Sequence, residues 1–255
     1  MIDLALIGIG TGNPDHLTAQ AVQAMNRADL ILLPCKGDAK SDLIDLRRAI
    51  CAQLLTAPVR VVEFDLPVRD ATAADYLAAV QDWHTLIAAT WQAQIAAHLP
   101  DGGKVALLIW GDPALYDSSL RIADRLADAG MDVAVRVIPG ITSIQALTAA
   151  HTIPLNRLGG PITITTGRML RAHGWPPGAD TVVVMLDGGC AFDTLPSDRV
   201  TIWWGAYLGM AQEALIQGPL DEVGPRIAAE RASLRARHGW IMDVYLMRKD
   251  QDDAG

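Results

Sequence analysis

The sequence has few charged residues and no long apolar run, and both shortages narrow the class of protein. Charged residues make up 20% of the 255 residues and hydrophobic ones 51%, which is the balance of a folded chain rather than a disordered one. The longest apolar stretches, such as residues 105–110, fall far short of the roughly 20 residues that cross a bilayer. The sequence therefore predicts a globular protein that does not act in a membrane.

Signals for export, disulfide formation and nucleic-acid binding are also missing. Asp3 stands where a secretory signal carries a basic residue, and three glycines interrupt what would be its apolar region. We therefore expect the protein to be located in the cytoplasm. Cys35, Cys51 and Cys190 lack the C-x-x-C spacing of a zinc or redox site, and we expect packing roles and no metal. A net charge of -8 argues against a nucleic-acid partner.

The usual nucleotide fingerprints are incomplete. Residues 8–13 read GIGTGN, which is G-x-G-x-G and not the G-x-G-x-x-G of dinucleotide-binding domains. The second predicted strand ends at Pro34 and Cys35, without the acidic residue that holds a ribose. The phosphate loop with its lysine is absent as well. NAD and ordinary ATP hydrolysis are therefore disfavoured.

The first half of the chain has the pattern of an α/β domain. An apolar run at 2–7, a helical stretch at 18–28 with Thr18 as N-cap, and a second run at 30–33 predict a βαβ unit. The segment 71–98 predicts the longest helix, and its apolar stripe predicts core packing. That stripe consists of Trp83, Ile87, Trp91 and Ile95. Further strands at 105–109 and 133–138 end in glycine-containing loops, which line the ligand crevice of a parallel sheet.

The second half predicts another α/β domain. Strands are expected at 162–165, 181–186, 200–204 and 242–247. A charged helix at 222–237 is expected to place Arg231 and its other charged residues on solvated faces. We predict domains at 1–143 and 144–255, and a frayed tail from residue 250.

Three motifs in order resemble those of a known family. Residues 6–14 read LIGIGTGNP, residues 111–113 read GDP, and residues 138–143 read IPGITS, followed by IPL at 153–155. In this order they resemble the tetrapyrrole (corrin/porphyrin) methylases over almost the whole chain. The resemblance implies two α/β domains with the methyl donor, S-adenosylmethionine, in the cleft between them, and a homodimer.

Three more segments, 165–168, 203–209 and 237–243, narrow the resemblance within the family. They look most like members that methylate C-1 of precorrin-5 and release acetate. Two other functions remain open. One is methylation of a different acceptor, such as another precorrin or a protein or RNA target. The other is nucleotide binding without catalysis.

The resemblance also implies the residues that contact the methyl donor. Gly111 and Asp112 would meet its methionine part, Met185 its adenine or ribose, and the backbone around Ala206 its adenine. The full implied set is Thr11, Trp110, Gly111, Asp112, Leu115, Tyr116, Ile141, Thr142, Ser143, Met185, Leu186, Gly205, Ala206 and Tyr207. One departure is visible, because Thr11 and Asn13 stand where the family commonly has Pro and Asp, and Asn cannot take a proton near neutral pH.

Catalytic residues are not assigned by the sequence. Methyl transfer needs mainly alignment of the donor with an electron-rich carbon, whereas loss of an acyl group favours a general base. As a hypothesis, Asp187 is that base, since it follows a predicted strand end. Other possible groups are Tyr116, His151, His173 and His238.

A tetrapyrrole substrate carries many carboxylates, which guanidinium groups match well. Arg168 and Arg171 follow a glycine at a predicted strand end and are the candidate substrate-binding residues. Arg47 and Arg48, in a segment expected to be extended, are further candidates.

Overall fold

The computed structural model describes residues 1–35, 41–68 and 75–250, and its contacts divide the chain into two units, Met1–Thr142 and Ser143–Gly255. The N-terminal unit contains β1 (Ile2–Gly8), α1 (Ala19–Asn26), β2 (Leu30–Cys35), α2 (Ser41–Leu54), β3 (Arg60–Asp65), α3 (Tyr76–His98), β4 (Gly103–Ile109), α4 (Ser119–Asp128) and β5 (Val133–Ile138). The C-terminal unit contains α5 (Ser143–His151), β6 (Ile162–Thr166), α6 (Gly167–His173), β7 (Thr181–Met185), β8 (Val200–Ala206), β9 (Ala214–Pro219), α7 (Leu220–His238) and β10 (Asp243–Lys249).

The N-terminal sheet is parallel throughout, with the strand order β3-β2-β4-β1-β5. Helices cover both faces of such a sheet, so its inner strands are apolar along their length, as β1, β2 and β4 are. Helices α1 and α2 pack on one face, and α3 and α4 pack on the other. Neighbouring strands therefore lead to helices on opposite faces, and this arrangement opens a crevice at the carboxyl edge of a sheet.

The predicted βαβ unit and the apolar stripe of α3 are confirmed. Thr18 is the N-cap of α1, and its hydroxyl accepts from the Ala21 N–H at 3.1 Å. Ile87, Trp91 and Ile95 are buried in the core beneath α3, and Trp83 packs against that core. No helix within the described ranges is long and apolar enough to cross a membrane.

The C-terminal sheet has the order β6-β7-β10-β8-β9. Strands β6 and β7 are parallel, and the other neighbours are antiparallel. The predicted strands correspond to β6, β7, β8 and β10, whose ends differ from the expected ones by two residues at most.

Several elements differ from the sequence-based expectation. Arg47 and Arg48 lie on helix α2, so the expectation of an extended segment is wrong. Strand β2 extends beyond the apolar run at 30–33 to Cys35, and Pro34 is tolerated there because the pairing with β4 ends at Leu32 and only β3 pairs with β2 beyond that point. Strands β3 and β9 and helix α6 were not predicted. The expected start of α3 at residue 71 and the tail at 251–255 lie outside the described residues.

Arg231 is buried, so the expectation that it lies on a solvated face of α7 is wrong. It is 8% exposed, and its Nε lies 2.8 Å from Oδ2 of Asp243. Its Nη2 donates to the carbonyl oxygen of Asp187 at 2.6 Å. The Trp204 Nε1 donates to the same Asp243 oxygen at 2.9 Å. This network joins α7, β8, β10 and the segment after β7.

We expect Arg231→Gln to lower the free energy of unfolding by about 3–5 kcal/mol, because it leaves the Asp243 carboxylate buried without its cation. Arg226→Gln is the matched control, since Arg226 is exposed on the same helix, and it is expected to change stability by less than about 0.5 kcal/mol. Urea unfolding followed by circular dichroism measures both. Equal effects of the two variants would contradict this role of Arg231.

Candidate active site

Three strands of the N-terminal unit end side by side, and their loops are joined through the backbone. Gly8 at the end of β1 pairs with Ile109 of β4, and Ile7 pairs with Ile138 of β5. Beyond these ends, the Gly111 N–H donates to the Gly10 carbonyl at 2.8 Å, and the Gly10 N–H donates to the Gly111 carbonyl at 3.3 Å. The loops after β1 and β4 are therefore held together without any side chain.

Glycine is required where the loop backbones touch. A Cβ on Gly140 would lie 2.1 Å from the Gly111 oxygen, and a Cβ on Gly8 would lie 2.6 Å from the Gly140 nitrogen. Gly111 is different, because it needs glycine for its φ of +66° and has no atom within 4 Å of the position where a Cβ would lie. The contact of three backbones thus leaves open space beside Gly111.

Asp112 fixes the loop that follows β4. Its Oδ2 accepts from the Gly140 N–H and its Oδ1 accepts from the Ala114 N–H, both at 2.8 Å. A carboxylate has about four acceptor positions, so an incoming ammonium group would still find acceptors on Asp112. The structure therefore gives Asp112 a positioning role, and the role implied by the resemblance can exist beside it.

Thr11 carries an unsatisfied polar group in the same region. The residue is 3% exposed, and its hydroxyl has no hydrogen-bond partner among the described residues. Burying a hydroxyl without a partner costs about 1–3 kcal/mol. A ligand that hydrogen-bonds Thr11 would remove that cost, so Thr11 is a structural sign of a binding site at this edge of the sheet.

The other implied residues of this edge occupy the loops after β4 and β5. Trp110 and Leu115 are half-buried, whereas Tyr116 is 45% exposed and has a left-handed backbone with φ of +50°. Ile141 and Thr142 are half-buried and follow Gly140 directly. Ser143 is the first residue of α5 and belongs to the C-terminal unit.

In the C-terminal unit, Asp187 is enclosed by donors. Its carboxylate accepts from the N–H groups of Gly189 at 3.0 Å and Ala191 at 2.5 Å, and from the Tyr245 hydroxyl at 2.7 Å. Arg171 Nη2 lies 3.5 Å from it. Burial alone raises the pKa of Asp187, but these donors outweigh burial and hold the pKa below its ordinary value. Such a carboxylate is a weak base, which disfavours the hypothesis that Asp187 is the catalytic base.

Two residues that the resemblance implies as contacts of the methyl donor, Met185 and Leu186, directly precede Asp187. Met185 ends β7 and is half-buried. Leu186 is 65% exposed and has φ of +52°, a conformation that is unfavourable for a branched side chain. The Asp187 carboxylate and Arg171, which donates to the Gly189 carbonyl at 2.8 Å, fix the backbone that carries this side chain.

The loop after β8 offers backbone rather than side chains. Ala206 is buried, and Tyr207, with φ of +50°, buries its ring and donates its hydroxyl to the Trp240 carbonyl. Gly205 is confined, because a Cβ there would lie 2.7 Å from Leu208. The resemblance implies backbone contact here, which stays a prediction.

Two of the three histidine candidates, His151 and His238, contact other side chains or the main chain. His151 Nδ1 lies 3.2 Å from Gln217 Oε1, and its Nε2 lies 3.0 Å from the Trp204 carbonyl oxygen. The ring of His238 packs edge-on against Tyr207 at 5.3 Å. His173 is exposed at the end of α6. Within the described ranges, no group of three metal-ligating side chains lies together.

The two candidate substrate arginines differ in their surroundings. Arg171 is committed to the Asp187 segment through its bonds to Gly189 and Asp187. Arg168 is exposed on the first turn of α6, just after β6. No local pattern indicates the buried partners Tyr245 and Arg231, because they lie 58 and 44 residues from Asp187.

Comparisons with known proteins agree with this architecture. The family model of the tetrapyrrole (corrin/porphyrin) methylases matches residues 3–224. A precorrin-6A synthase [deacetylating] from Sinorhizobium sp. is 48% identical over 254 residues, covering 99% of this chain and 97% of that protein. A crystal structure of a cobalamin synthesis related protein (CobF) from Corynebacterium diphtheriae is 38% identical, with a TM-score of 0.83 over 98% of this chain and 100% of the other.

A more distant structure shares the fold. The uroporphyrin-III C-methyltransferase of Thermus thermophilus, solved in complex with S-adenosylhomocysteine, has a TM-score of 0.60 at 18% identity, covering 96% of this chain and 92% of that chain. The chain belongs to the tetrapyrrole methylase family. The predicted family, the two α/β domains and the methyltransferase class are confirmed.

We expect Asp187→Asn to destabilise the protein at pH 7 by about 1–3 kcal/mol, because the amide replaces a charged acceptor of several buried donors. A carboxylate whose pKa is lower in the folded state stabilises fully above its unfolded-state pKa of about 3.9, and this contribution is lost as the pH falls through the folded-state value. The variant should therefore lose less stability than the wild type on acidification below about pH 4.

Asp198→Asn is the control for this experiment, since Asp198 is exposed in the same unit. Guanidinium unfolding at a series of pH values gives the free energy for all three proteins. An acid profile of Asp187→Asn that matches the wild-type profile would show that the carboxylate contributes no charge-dependent stability.

Proposed function

We propose that the chain is a precorrin-6A synthase (deacetylating), which methylates C-1 of precorrin-5 with S-adenosylmethionine and releases acetate. The observation that carries this proposal is the 48% identity to the Sinorhizobium enzyme, which extends over nearly the full length of both chains. Substrate choice in this fold is made by loops. Similarity over whole chains includes those loops, and it therefore supports a particular substrate better than a motif does.

The residues of the N-terminal edge fit a polar methyl donor. The buried, unpartnered Thr11 hydroxyl and the open space beside Gly111 are features that a polar ligand would complete. Asp112 retains free acceptor positions for the donor's ammonium group. When bound, S-adenosylmethionine supplies an electrophilic methyl group on a sulfonium.

The residues that we propose as contacts of the methyl donor form two sets, and each set is described within its own unit. In the N-terminal unit and at the start of α5 they are Thr11, Trp110, Gly111, Asp112, Leu115, Tyr116, Ile141, Thr142 and Ser143. In the rest of the C-terminal unit they are Met185, Leu186, Gly205, Ala206 and Tyr207. The shared feature of these positions is rigidity, because most lie on backbone fixed by strand ends, by Asp112 or by Asp187. Fixed backbone supplies the alignment on which methyl transfer depends.

Loss of the acyl group requires attack of water on a ketone, which favours a base and an oxyanion donor. Asp187 and His151 are engaged in structural contacts. Tyr116, His173 and His238 are the candidates that remain, and the side chains of Tyr116 and His173 are exposed. Arg168 and Arg171 stay proposed contacts for substrate carboxylates.

We also propose that the protein is a homodimer, that it is located in the cytoplasm and that it has no nucleic-acid partner. Two edge strands, β5 and β6, expose apolar side chains that a second copy would cover. They are Val135, Val137, Ile162 and Ile164. Light scattering tests the dimer, and a mass near 27.3 kDa would contradict it.

The donor site is tested by thermal and calorimetric titration with S-adenosylhomocysteine. A ligand at 100 times its dissociation constant should stabilise by about 2.7 kcal/mol, whereas NADH and ATP should not. Thr11→Val removes only the hydroxyl, so we expect the free protein to be as stable as the wild type and the dissociation constant to rise about threefold to tenfold.

Thr90→Val is the control, because its hydroxyl donates to a carbonyl within α3. It should leave the affinity for S-adenosylhomocysteine unchanged. An unchanged affinity in Thr11→Val would exclude the hydroxyl as a donor contact, and no binding by the wild type would exclude the donor site itself.

The reaction is tested by incubating the enzyme with precorrin-5 and S-adenosylmethionine. We expect one acetate for each methyl group transferred, measured by enzymatic acetate assay and mass spectrometry. Methylation of a different precorrin alone would favour another member of the family. Binding of S-adenosylhomocysteine without turnover of any precorrin would favour a non-catalytic nucleotide-binding protein.

A further inference from the structure

Two adjacent arginines of α2 have opposite surroundings. Arg48 is exposed and lies 2.6 Å from carboxylate oxygens of both Asp45 and Glu63. Arg47 is half-buried, and among the residues that the structure describes it makes no ion pair with a carboxylate. Arg48 is therefore already neutralised by its neighbours, whereas Arg47 is not.

Towards the residues that the structure describes, Arg47 uses only part of its guanidinium. Its Nε donates to the Leu108 carbonyl at 3.0 Å, and its Nη1 donates to the Leu43 carbonyl at 3.1 Å. A guanidinium has five N–H groups in a planar fork. Within the described residues, the two carbonyls engage two of these five N–H groups, and neither carbonyl carries a charge that would neutralise the guanidinium.

The position of Arg47 is the carboxyl edge of the N-terminal sheet. Pairing between β2 and β4 ends at Leu32 and Leu107, and Arg47 binds the carbonyl of the next residue, Leu108. The two strands then lead to α2 and α4, which pack on opposite faces of the sheet. Strand ends that diverge in this way form a ligand crevice. Arg47 bonds the carbonyl of Leu108, the last residue but one of β4.

The charge of Arg47 is costly where it stands. Burial lowers the pKa of Arg47, whereas the charges of Asp117 and Cys35 raise it by less. Arginine nevertheless stays protonated in proteins. A neutral side chain would bond the two carbonyls without burying a charge, so the structural contacts alone do not account for an arginine at this position.

We propose that Arg47 is a substrate-binding residue whose other guanidinium N–H groups receive a carboxylate of the tetrapyrrole. This inference rests on the proposed function. An acetate or propionate group offers two oxygens that match two N–H groups of the fork. The local positive charge also gives an acidic protein of net charge -8 a point of attraction for an anionic substrate.

The experiment compares Arg47→Gln, Arg47→Lys and the control Arg60→Gln. Arg60 also donates to a main-chain carbonyl, that of His98, but it lies at the amino end of β3. KM and kcat are measured with precorrin-5, and the dissociation constant of S-adenosylhomocysteine is measured by calorimetry. We expect Arg47→Gln to raise KM at least tenfold, with kcat changed less than threefold and the S-adenosylhomocysteine affinity within twofold.

The other variants separate binding from folding. Arg47→Lys keeps the charge without the fork, so its KM should lie between those of the wild type and Arg47→Gln, at wild-type thermal stability. Arg60→Gln should leave KM unchanged. An unchanged KM in Arg47→Gln would overturn the inference while the proposed function stands.

A parallel loss of S-adenosylhomocysteine affinity and thermal stability in both Arg47 variants would assign Arg47 a purely structural role and also overturn the inference. Wild-type turnover is measured first. Its absence would be a failure of the proposed function itself, and the assignment of Arg47 would fall with it.

Discussion

The contact of three glycine backbones at the carboxyl edge of the N-terminal sheet is the constraint on which the candidate site depends. Gly8, Gly111 and Gly140 come from the ends of three different strands, and a single methyl group on Gly140 would collide with the Gly111 oxygen. Since the strands are paired in fixed register, the loops cannot separate to relieve such a collision. Close approach of the loops is therefore set by the absence of side chains, and Asp112 then secures it with two hydrogen bonds.

The C-terminal unit fixes its own loop by a different means. There a buried carboxylate, Asp187, collects backbone, hydroxyl and guanidinium donors, and Arg231 holds its carbonyl from the opposite side. Arg231 is in turn paired with Asp243. The N-terminal unit thus fixes its loops by close packing of glycine backbones, and the C-terminal unit fixes its loop by hydrogen bonds to charged side chains. Both solutions leave main-chain positions well defined, which suits a ligand that is bound largely by backbone.

Much of the fold could be predicted because apolar periodicity is local. The apolar pattern of neighbouring residues predicts the strands β1, β4 and β5 and the helix α3. Strand β3 was missed because most of its residues are not buried, and β9 because Gly218 and Pro219 end it. The burial of Arg231 was mispredicted because its partner Asp243 lies on the following strand, and no local pattern reports a pair of that kind. For the same reason, the hydrogen-bond partners of Asp187 and Arg47 could not be predicted from the sequence.

The left-handed conformations of Tyr116, Leu186 and Tyr207 have a consequence for protein engineering. Glycine adopts this backbone conformation without strain, and Leu186 also exposes most of an apolar side chain to water. A search for stabilising substitutions would therefore choose Leu186 early. Under the proposed function these three residues belong to the donor site, so an attempt to engineer a more robust enzyme should leave them unchanged.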